Sequence, residues 1–461
     1  MNIAMRTKHL LTILAVAAIG TYGLNAKTKK TRQVVEEVQP AHDVAKATVA
    51  EWTTLVYIQA DNSLAPFAAD NISDMQAGMH ATDQANLLVQ WDQPGNNKSW
   101  RYRIVPGNKV EDHSLSSEMG VNPAAEIVTA MQWAQTKYPA RHYALVLWNH
   151  GSGIEDFRNP LARTQKKFRT WMEIPGLNRE LVKDRGILYD DTQGTVLTNQ
   201  GLTTALTQVK ANLGKNLDII GMDACLMAML EVGYQVNNCA DYLVGSQQTE
   251  PGQGWAYSLW INPLTSNPTG FSSLKLAQAM VAGYGVLYQN NTDAPDYTQS
   301  AMQISALNAL KNNVNLFVSR VDACSKINAV QTKVLIKAAR QQATEFYMPE
   351  YIDLYSFYAA LANRLGKKTP KSDRILERLS KNEDRLNPSF IAAQNALKQT
   401  ALDGMQLITS AVVANVSGSE YPNVKGISIY YPSSGKLHAS YAKTLFAKDS
   451  TWTSFLGTYR R

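Results

Sequence analysis

The residues best able to do chemistry are a histidine and a cysteine, each just past the end of an apolar run. His150 closes Tyr143-Ala-Leu-Val-Leu-Trp-Asn-His150 and is followed by Gly151-Ser-Gly153. Cys225 follows Leu217-Asp-Ile-Ile-Gly-Met-Asp-Ala, 75 positions further on. An imidazole exchanges protons near neutral pH and a thiolate is a strong nucleophile, so together they supply base and nucleophile. Gly151 and Gly153 let backbone approach a substrate closely and aim N–H groups at an oxyanion. Each residue also has a plain structural reading: a histidine that merely ends a strand, and a buried thiol. The two together, histidine first and both at strand ends, favour the chemical reading.

Positioning such a pair requires neighbouring strands that stop at the same edge. Apolar runs of this length read as buried strands, and open α/β sheets collect reactive groups at their C-terminal edge. Thr53–Ile58 and Asn86–Trp91 read as two more strands, and Arg101–Val105 as a shorter one. Asp61-Asn62-Ser63 reads as a turn and cap for a helix reaching Gly78, and Pro123–Tyr138 has helical spacing. Leu202–Leu213 is a helix between the two key strands, and another is expected directly after Cys225, where its N-terminus would favour a thiolate. Tyr242–Ser246 and Ala301–Ser305 read as strands, and Ser273–Tyr288 as a helix. Strands alternating with helices predict an α/β fold with a mostly parallel sheet and helices on both faces. The expected organisation is a core over 51–306, a helical segment over 307–415, and a return to the core sheet within 416–461, carried by Gly426–Pro432.

The chain has 461 residues, is 45% apolar and carries a formal charge of +7. Its basic residues are scattered, with no arginine-rich helix or aromatic platform, which argues against nucleic acid as a partner. Arg6 and Lys8 precede the apolar Leu10–Gly20, then Leu24-Asn-Ala26, the layout of a secretory signal over 1–26. The apolar run is short of the roughly 20 residues that span a bilayer. Residues 27–50 read as a linker or pro-segment. The expectation is an exported protein, periplasmic or extracellular, with no stable membrane insertion. Three cysteines are too few for a disulfide scaffold, and Cys239 and Cys324 could be bonded or simply buried. The chain lacks Gly-x-Ser-x-Gly, His-Glu-x-x-His and paired Cys-x-x-Cys, which argues against serine-hydrolase and zinc chemistry.

The stretches Leu147-Trp-Asn-His-Gly-Ser-Gly153 and Gly221-Met-Asp-Ala-Cys-Leu-Met227 resemble the His-Gly and Asp-Ala-Cys motifs of the clostripain family of cysteine peptidases, in the clan of caspase, legumain and gingipain. Leu55–Asn62, Gln248–Trp255, Tyr351–Tyr355 and Gly426–Pro432 fit as well, so the resemblance runs from about residue 52 to the C-terminus. It implies a caspase-like sheet and an endopeptidase acting on protein or peptide substrates. Cys225 would be the nucleophile, His150 its proton-transfer partner in a dyad without a third orienting residue, and the N–H groups of Gly151 and Cys225 the oxyanion donors. Asp223 matches the acidic residue that lines the S1 pocket and selects Arg or Lys; a helix cap near Cys225 would call for the same residue type. The family is made as zymogens that cut themselves between the histidine and the cysteine, which makes Lys166, Lys167 and Arg169 candidates; a solvated basic loop is the plainer reading of that run. No cofactor is required by the motifs. Calcium supports some members, and Asp190 with Asp191 offers two carboxylates against the six to eight oxygens calcium takes. The competing reading is a catalytically silent caspase-fold protein that binds a peptide or partner at the cell surface.

Overall fold

A computed structural model describes residues 49–155, 186–365 and 387–460. The strands are β1 (Ala50–Gln59), β2 (Ala85–Asp92), β3 (Trp100–Val105), β4 (Asn108–Asp112), β5 (Ala140–Trp148), β6 (Ile187–Asp190), β7 (Thr195–Leu197), β8 (Leu217–Asp223), β9 (Ala240–Gly245), β10 (Thr298–Gln303), β11 (Tyr351–Asp353), β12 (Val412–Ser417) and β13 (Ser428–Tyr430). Nine of them form one sheet in the order β12-β10-β9-β8-β5-β1-β2-β3-β4. The five central strands are parallel, and antiparallel strands close both flanks.

Alternation of side chains explains why helices cover both faces. In β1, Leu55 and Tyr57 enter one apolar cluster while Val56 and Ile58 enter the other; Leu145 and Leu147 of β5 separate from Ala144 and Val146 in the same way. Both sets are buried, so the central strands read as continuous apolar runs. On one face lie α2 (Pro123–Lys137), α3 (Asn199–Leu213) and α7 (Leu307–Ile327), through residues such as Ile127, Leu206 and Phe317. On the other lie α1 (Ala65–Gly78), α5 (Tyr257–Ser266) and α6 (Ser273–Tyr288), through Ile72, Trp260 and Tyr284. Full burial of one such side chain is worth about 1.5–3 kcal/mol, so these two layers dominate the sheet's stability. The α2 start shows the local logic: Pro123 opens the helix, the Asn122 side chain accepts the Ala125 N–H, and Glu126 reaches back to the Asn122 N–H at 2.7 Å.

Three expectations change in the fold. The polar run Asp61-Asn62-Ser63 does not cap α1, whose N-cap is Leu64 with no side-chain bond; these side chains turn toward the sheet edge instead. The helix after Cys225 starts late: α4 spans Leu230–Gln235, and the intervening segment runs alongside the continuation of β9, with Leu226 N–H bonded to Gln248 O and Ala228 N–H to Ser246 O. Cys225 is therefore not at a helix N-terminus. The strand that returns to the large sheet is β12, at 412–417, whereas β13 pairs with β11 in a separate two-stranded sheet. The helical stretch before it contains α7, α8 (Ala329–Gln342), α9 (Leu354–Arg364) and the helix Pro388–Ala411, interrupted by β11. No helix among the described residues is long and apolar enough to cross a membrane.

Candidate active site

Sheet register brings the histidine and the cysteine level with each other. β5 and β8 are parallel neighbours with Trp148 opposite Asp223, and the Asn149 N–H donates to the Asp223 carbonyl at 3.2 Å. His150 and Cys225 each lie two residues beyond that pair, on strands that run about 4.8 Å apart. Gly151 makes the approach feasible: a Cβ there would run into the Cys225 carbonyl and the Ala224 methyl, and lie 3.1 Å from the Cys225 nitrogen. Gly151 also forms a bridge with Ile187, so the backbone N–H groups named as oxyanion donors belong to two chain segments packed directly together.

His150 is seated by Ser63, which the sequence reading assigned to a turn, and by Asn149 at the end of its own strand run. Ser63 Oγ lies 2.9 Å from His150 Nε2. Asn149 donates to the carbonyls of Gln59 and Tyr189, and its Oδ1 accepts the N–H of His150 at 2.5 Å and of Tyr189 at 3.0 Å. Asn62 bonds the same two carbonyls, at 3.2 and 2.8 Å. The loop carrying His150 is thus tied both to the end of β1 and to the hairpin of β6 and β7. Neither Ser63 nor Asn149 announced this role in sequence, because a polar residue after a strand usually serves a turn.

Cys225 is half-buried, and its sulfur accepts the Glu250 N–H at 3.2 Å. This backbone donor stands where a helix N-terminus was expected, and the thiol in turn lies 3.9 Å from the Glu250 carbonyl. Glu250 belongs to the loop between β9 and α5, anchored by Gln248 through Tyr421 OH at 2.7 Å and the Tyr347 N–H at 2.8 Å.

Below the thiol, Asp223 is 5% exposed and does not cap a helix. Its Oδ2 accepts the Tyr257 hydroxyl at 2.8 Å and the Trp255 N–H at 3.2 Å. Gly254, at φ +66°, carries the chain over this carboxylate, and a Cβ would lie 2.9 Å from Oδ2. Burial pushes the Asp223 carboxyl up to about 6, against the lowering effect of Glu250, Tyr257 and the Trp255 N–H. Burial, together with the adjacent Asp223 charge, drives Glu250 well above the usual carboxylate range. A pair of acidic side chains therefore lies beside the sulfur. Glu250 was within a stretch noted for its resemblance, yet its partnership with Asp223 depends on a loop closing back over β8.

A second acidic group lies on the His150 side. Carboxylate oxygens of Asp61, Asp92 and Asp190 come within 4.8 Å of one another, all three residues buried. Asp191 is exposed and does not join Asp190 there. Burial foremost pushes both Asp92 and Asp190 up to about 7. All three cysteines are free thiols, with Cys239 and Cys324 buried. Lys166, Lys167 and Arg169 lie outside the described residues.

Comparisons with known proteins identify the family and the fold. The family model described as the clostripain family matches residues 56–459. Clostripain from Hathewaya histolytica is 25% identical over 293 residues, covering 55% of this chain; the chain spans about half of that relative's length, 51%. Among solved structures, a secreted cysteine protease from Bacteroides thetaiotaomicron, bound to an irreversible peptide inhibitor, aligns over 88% of this chain and 100% of its own with a TM-score of 0.57 at 20% identity. An inactive zymogen protease from Parabacteroides distasonis aligns over 87% of this chain and 98% of its own, with a TM-score of 0.54 at 19% identity. At those identities the structures speak for the fold, which is the caspase-like α/β sheet. The match of the family model over nearly all the described chain shows that this protein belongs to the clostripain family.

Proposed function

We propose that the protein is an exported cysteine endopeptidase that cleaves after Arg or Lys. The observation that carries the reading is the level placement of His150 and Cys225 past the paired Trp148 and Asp223. In the proposed reaction the Cys225 thiolate attacks the scissile carbonyl carbon, and the N–H groups of Gly151 and Cys225 hold the resulting oxyanion. His150 gives its proton to the leaving amine as the C–N bond breaks, then takes one from the water that hydrolyses the thioester. Ser63, on Nε2, restrains the ring while this happens. The P1 side chain reaches Asp223, where a guanidinium or ammonium forms charge-assisted bonds with the carboxylate. Membership of the family supports the peptidase activity, and the signal-like layout of 1–26 supports export. Self-cleavage at Lys166, Lys167 or Arg169 fits a family in which a neighbour is described as an inactive zymogen.

The test uses protein beginning at Lys27 alongside Cys225→Ala. Fluorophore release is followed from short peptides ending in Arg, Lys, Asp or Asn, and both proteins are run on a denaturing gel. The expected result is release after Arg and Lys alone, absent in the variant together with any self-cutting. Release after Asp or Asn keeps the dyad and discards the role of Asp223. No release from any peptide, even after the 158–169 stretch is trimmed with a protease, leaves the silent binding protein as the better account.

A further inference from the structure

We propose that Tyr347 lines a subsite for the P2 residue of the substrate, the one before P1, and that this subsite takes an apolar side chain; the proposal rests on the cysteine-peptidase reading above. Tyr347 lies between α8 and β11. Its neighbours Phe346 and Met348 are 4% and 2% exposed, yet Tyr347 itself is 38% exposed. A single exposed tyrosine is ordinary on a protein surface, so its attachments decide the matter.

Those attachments lead to the thiol. Gln248 is buried, and its Oε1 accepts two backbone N–H groups, from Thr249 at 2.9 Å and from Tyr347 at 2.8 Å. Its Nε2 donates to Tyr421 OH at 2.7 Å, and the Tyr421 ring packs on Phe346 with centroids 5.3 Å apart. Its carbonyl accepts the Leu226 N–H at 3.0 Å. Thr249 leads directly into Glu250, whose N–H meets the Cys225 sulfur at 3.2 Å. Tyr347 and the residues flanking the nucleophile therefore share one buried amide as their anchor. Hydrogen bonds buried in this way fix the Tyr347 backbone while its ring stays in solvent. An aromatic side chain placed beforehand costs little further ordering when a ligand covers it, and it offers a large contact area. The adjacent Glu345 is engaged by Arg340 Nη1 at 2.8 Å, so the segment presents a ring to the cleft and not an unpaired charge.

Direction and face identify the substrate residue. His150, past the end of β5, gives its proton to the leaving amine, so residues after the scissile bond lie toward β5. The acyl side lies across Cys225, toward β9, whose continuation carries Gln248. Successive side chains of an extended peptide point to opposite faces. Asp223, which receives P1, is bonded to Trp255 and Tyr257, members of the apolar cluster under α1, α5 and α6. Phe346 and Met348 belong to the cluster on the opposite face, under α2, α3 and α7. The P2 side chain points to that second face, where Tyr347 stands.

The experiment compares fluorogenic peptides that share the best-cleaved P1 residue and carry Leu, Phe, Gly or Glu at P2, beside a series varied at P3. The proteins are the parent, Tyr347→Ala and Tyr347→Phe. The parent should favour Leu or Phe over Gly at P2 by about tenfold in kcat/KM. Tyr347→Ala should bring that ratio close to one, and Tyr347→Phe should keep it. A ratio taken within one variant is insensitive to how much of it is folded. Should Tyr347→Ala fail to fold, Tyr347→Lys is the second variant, and it should turn the preference toward Glu at P2. The same P2 series, labelled, is also bound to Cys225→Ala and read by fluorescence anisotropy. A parent without P2 preference, an unchanged ratio in a folded variant, or a change confined to P3 overturns the proposal. Peptides that bind with the P2 preference but are never cleaved would refute the peptidase reading and leave the subsite standing. Peptides that neither bind nor react would sink both.

Discussion

The two ends of β8 carry an aspartate each, and the fold treats them in opposite ways. Asp218, near its start, is bonded by His142 Nδ1 at 2.6 Å, Lys215 Nζ at 3.0 Å, Ser273 Oγ at 2.7 Å and the Tyr143 N–H at 2.9 Å. Burial alone would raise its pKa, but these partners outweigh that and hold it below the usual range. Trp52 stacks on the His142 ring at 4.7 Å, completing a closed structural unit. Asp223, at the far end, has the Tyr257 hydroxyl, the Trp255 N–H and the neighbouring Glu250 carboxyl in place of cations, and its pKa is raised. A carboxylate supplied with its own cations strengthens a fold, whereas one denied them is poised to receive a cation from outside. Asp92 and Asp190 are raised as well, so both raised sets flank the proposed dyad at the C-terminal edge of the sheet.

The largest effect that tests this contrast should come from Asp223→Asn. The proposal expects kcat/KM for Arg and Lys peptides to fall about 10²- to 10³-fold, since one partner of a buried charge pair is lost. Its thermal stability should be unchanged or higher. In the parent, kcat/KM for an Arg peptide should rise with pH through about 6 as Asp223 ionises. For stability the sign is reversed: with a folded pKa above the roughly 3.9 of an unfolded aspartate, this group's contribution is full below about pH 4 and is lost as pH climbs through about 6. A pH profile unaltered by Asp223→Asn would break the link between that carboxyl and substrate.

Asp218→Asn should show the converse. Unfolding free energy is expected to drop by about 2 kcal/mol, below the usual figure for breaking a buried pair because His142 and Lys215 are partly exposed. Activity per folded molecule should be retained, checked by urea unfolding beside active-site titration. Its depressed pKa makes its contribution present above about pH 4 and lost as the pH falls through the lower folded value. An activity loss as large as that of Asp223→Asn would erase the distinction between the two ends.

The smallest effect belongs to Ser63→Ala. Losing one hydrogen bond to the imidazole, about 1 kcal/mol, should reduce kcat roughly fivefold with little change in KM. Ser63→Thr should restore much of it. A change in KM alone would mean that Ser63 meets substrate instead of holding His150.

Much of the architecture was legible because burial is written into local pattern. The apolar runs through Thr53–Ile58, Asn86–Trp91, Tyr143–Trp148 and Leu217–Met222 are too long and too β-branched or aromatic for loops, and the structure places them side by side in the sheet. The short hairpin of β6 and β7, strand β4 and helix α5 escaped notice, being brief segments whose periodicity is weak and whose form depends on what they pack against.

His150, Cys225 and Asp223 stand out from sequence by residue type at the ends of those runs. Only the tertiary structure decided what surrounds them. Ser63 reaches His150 from 87 positions away, Gln59 bridges Asp92 and Asp190, and Glu250 folds back over Asp223. The reason lies in the physics of each step. Strand formation and burial follow from side chains close in sequence. The charge state and partners of a carboxylate follow from groups that distant segments bring within a few ångströms, where low dielectric makes each present or missing cation count.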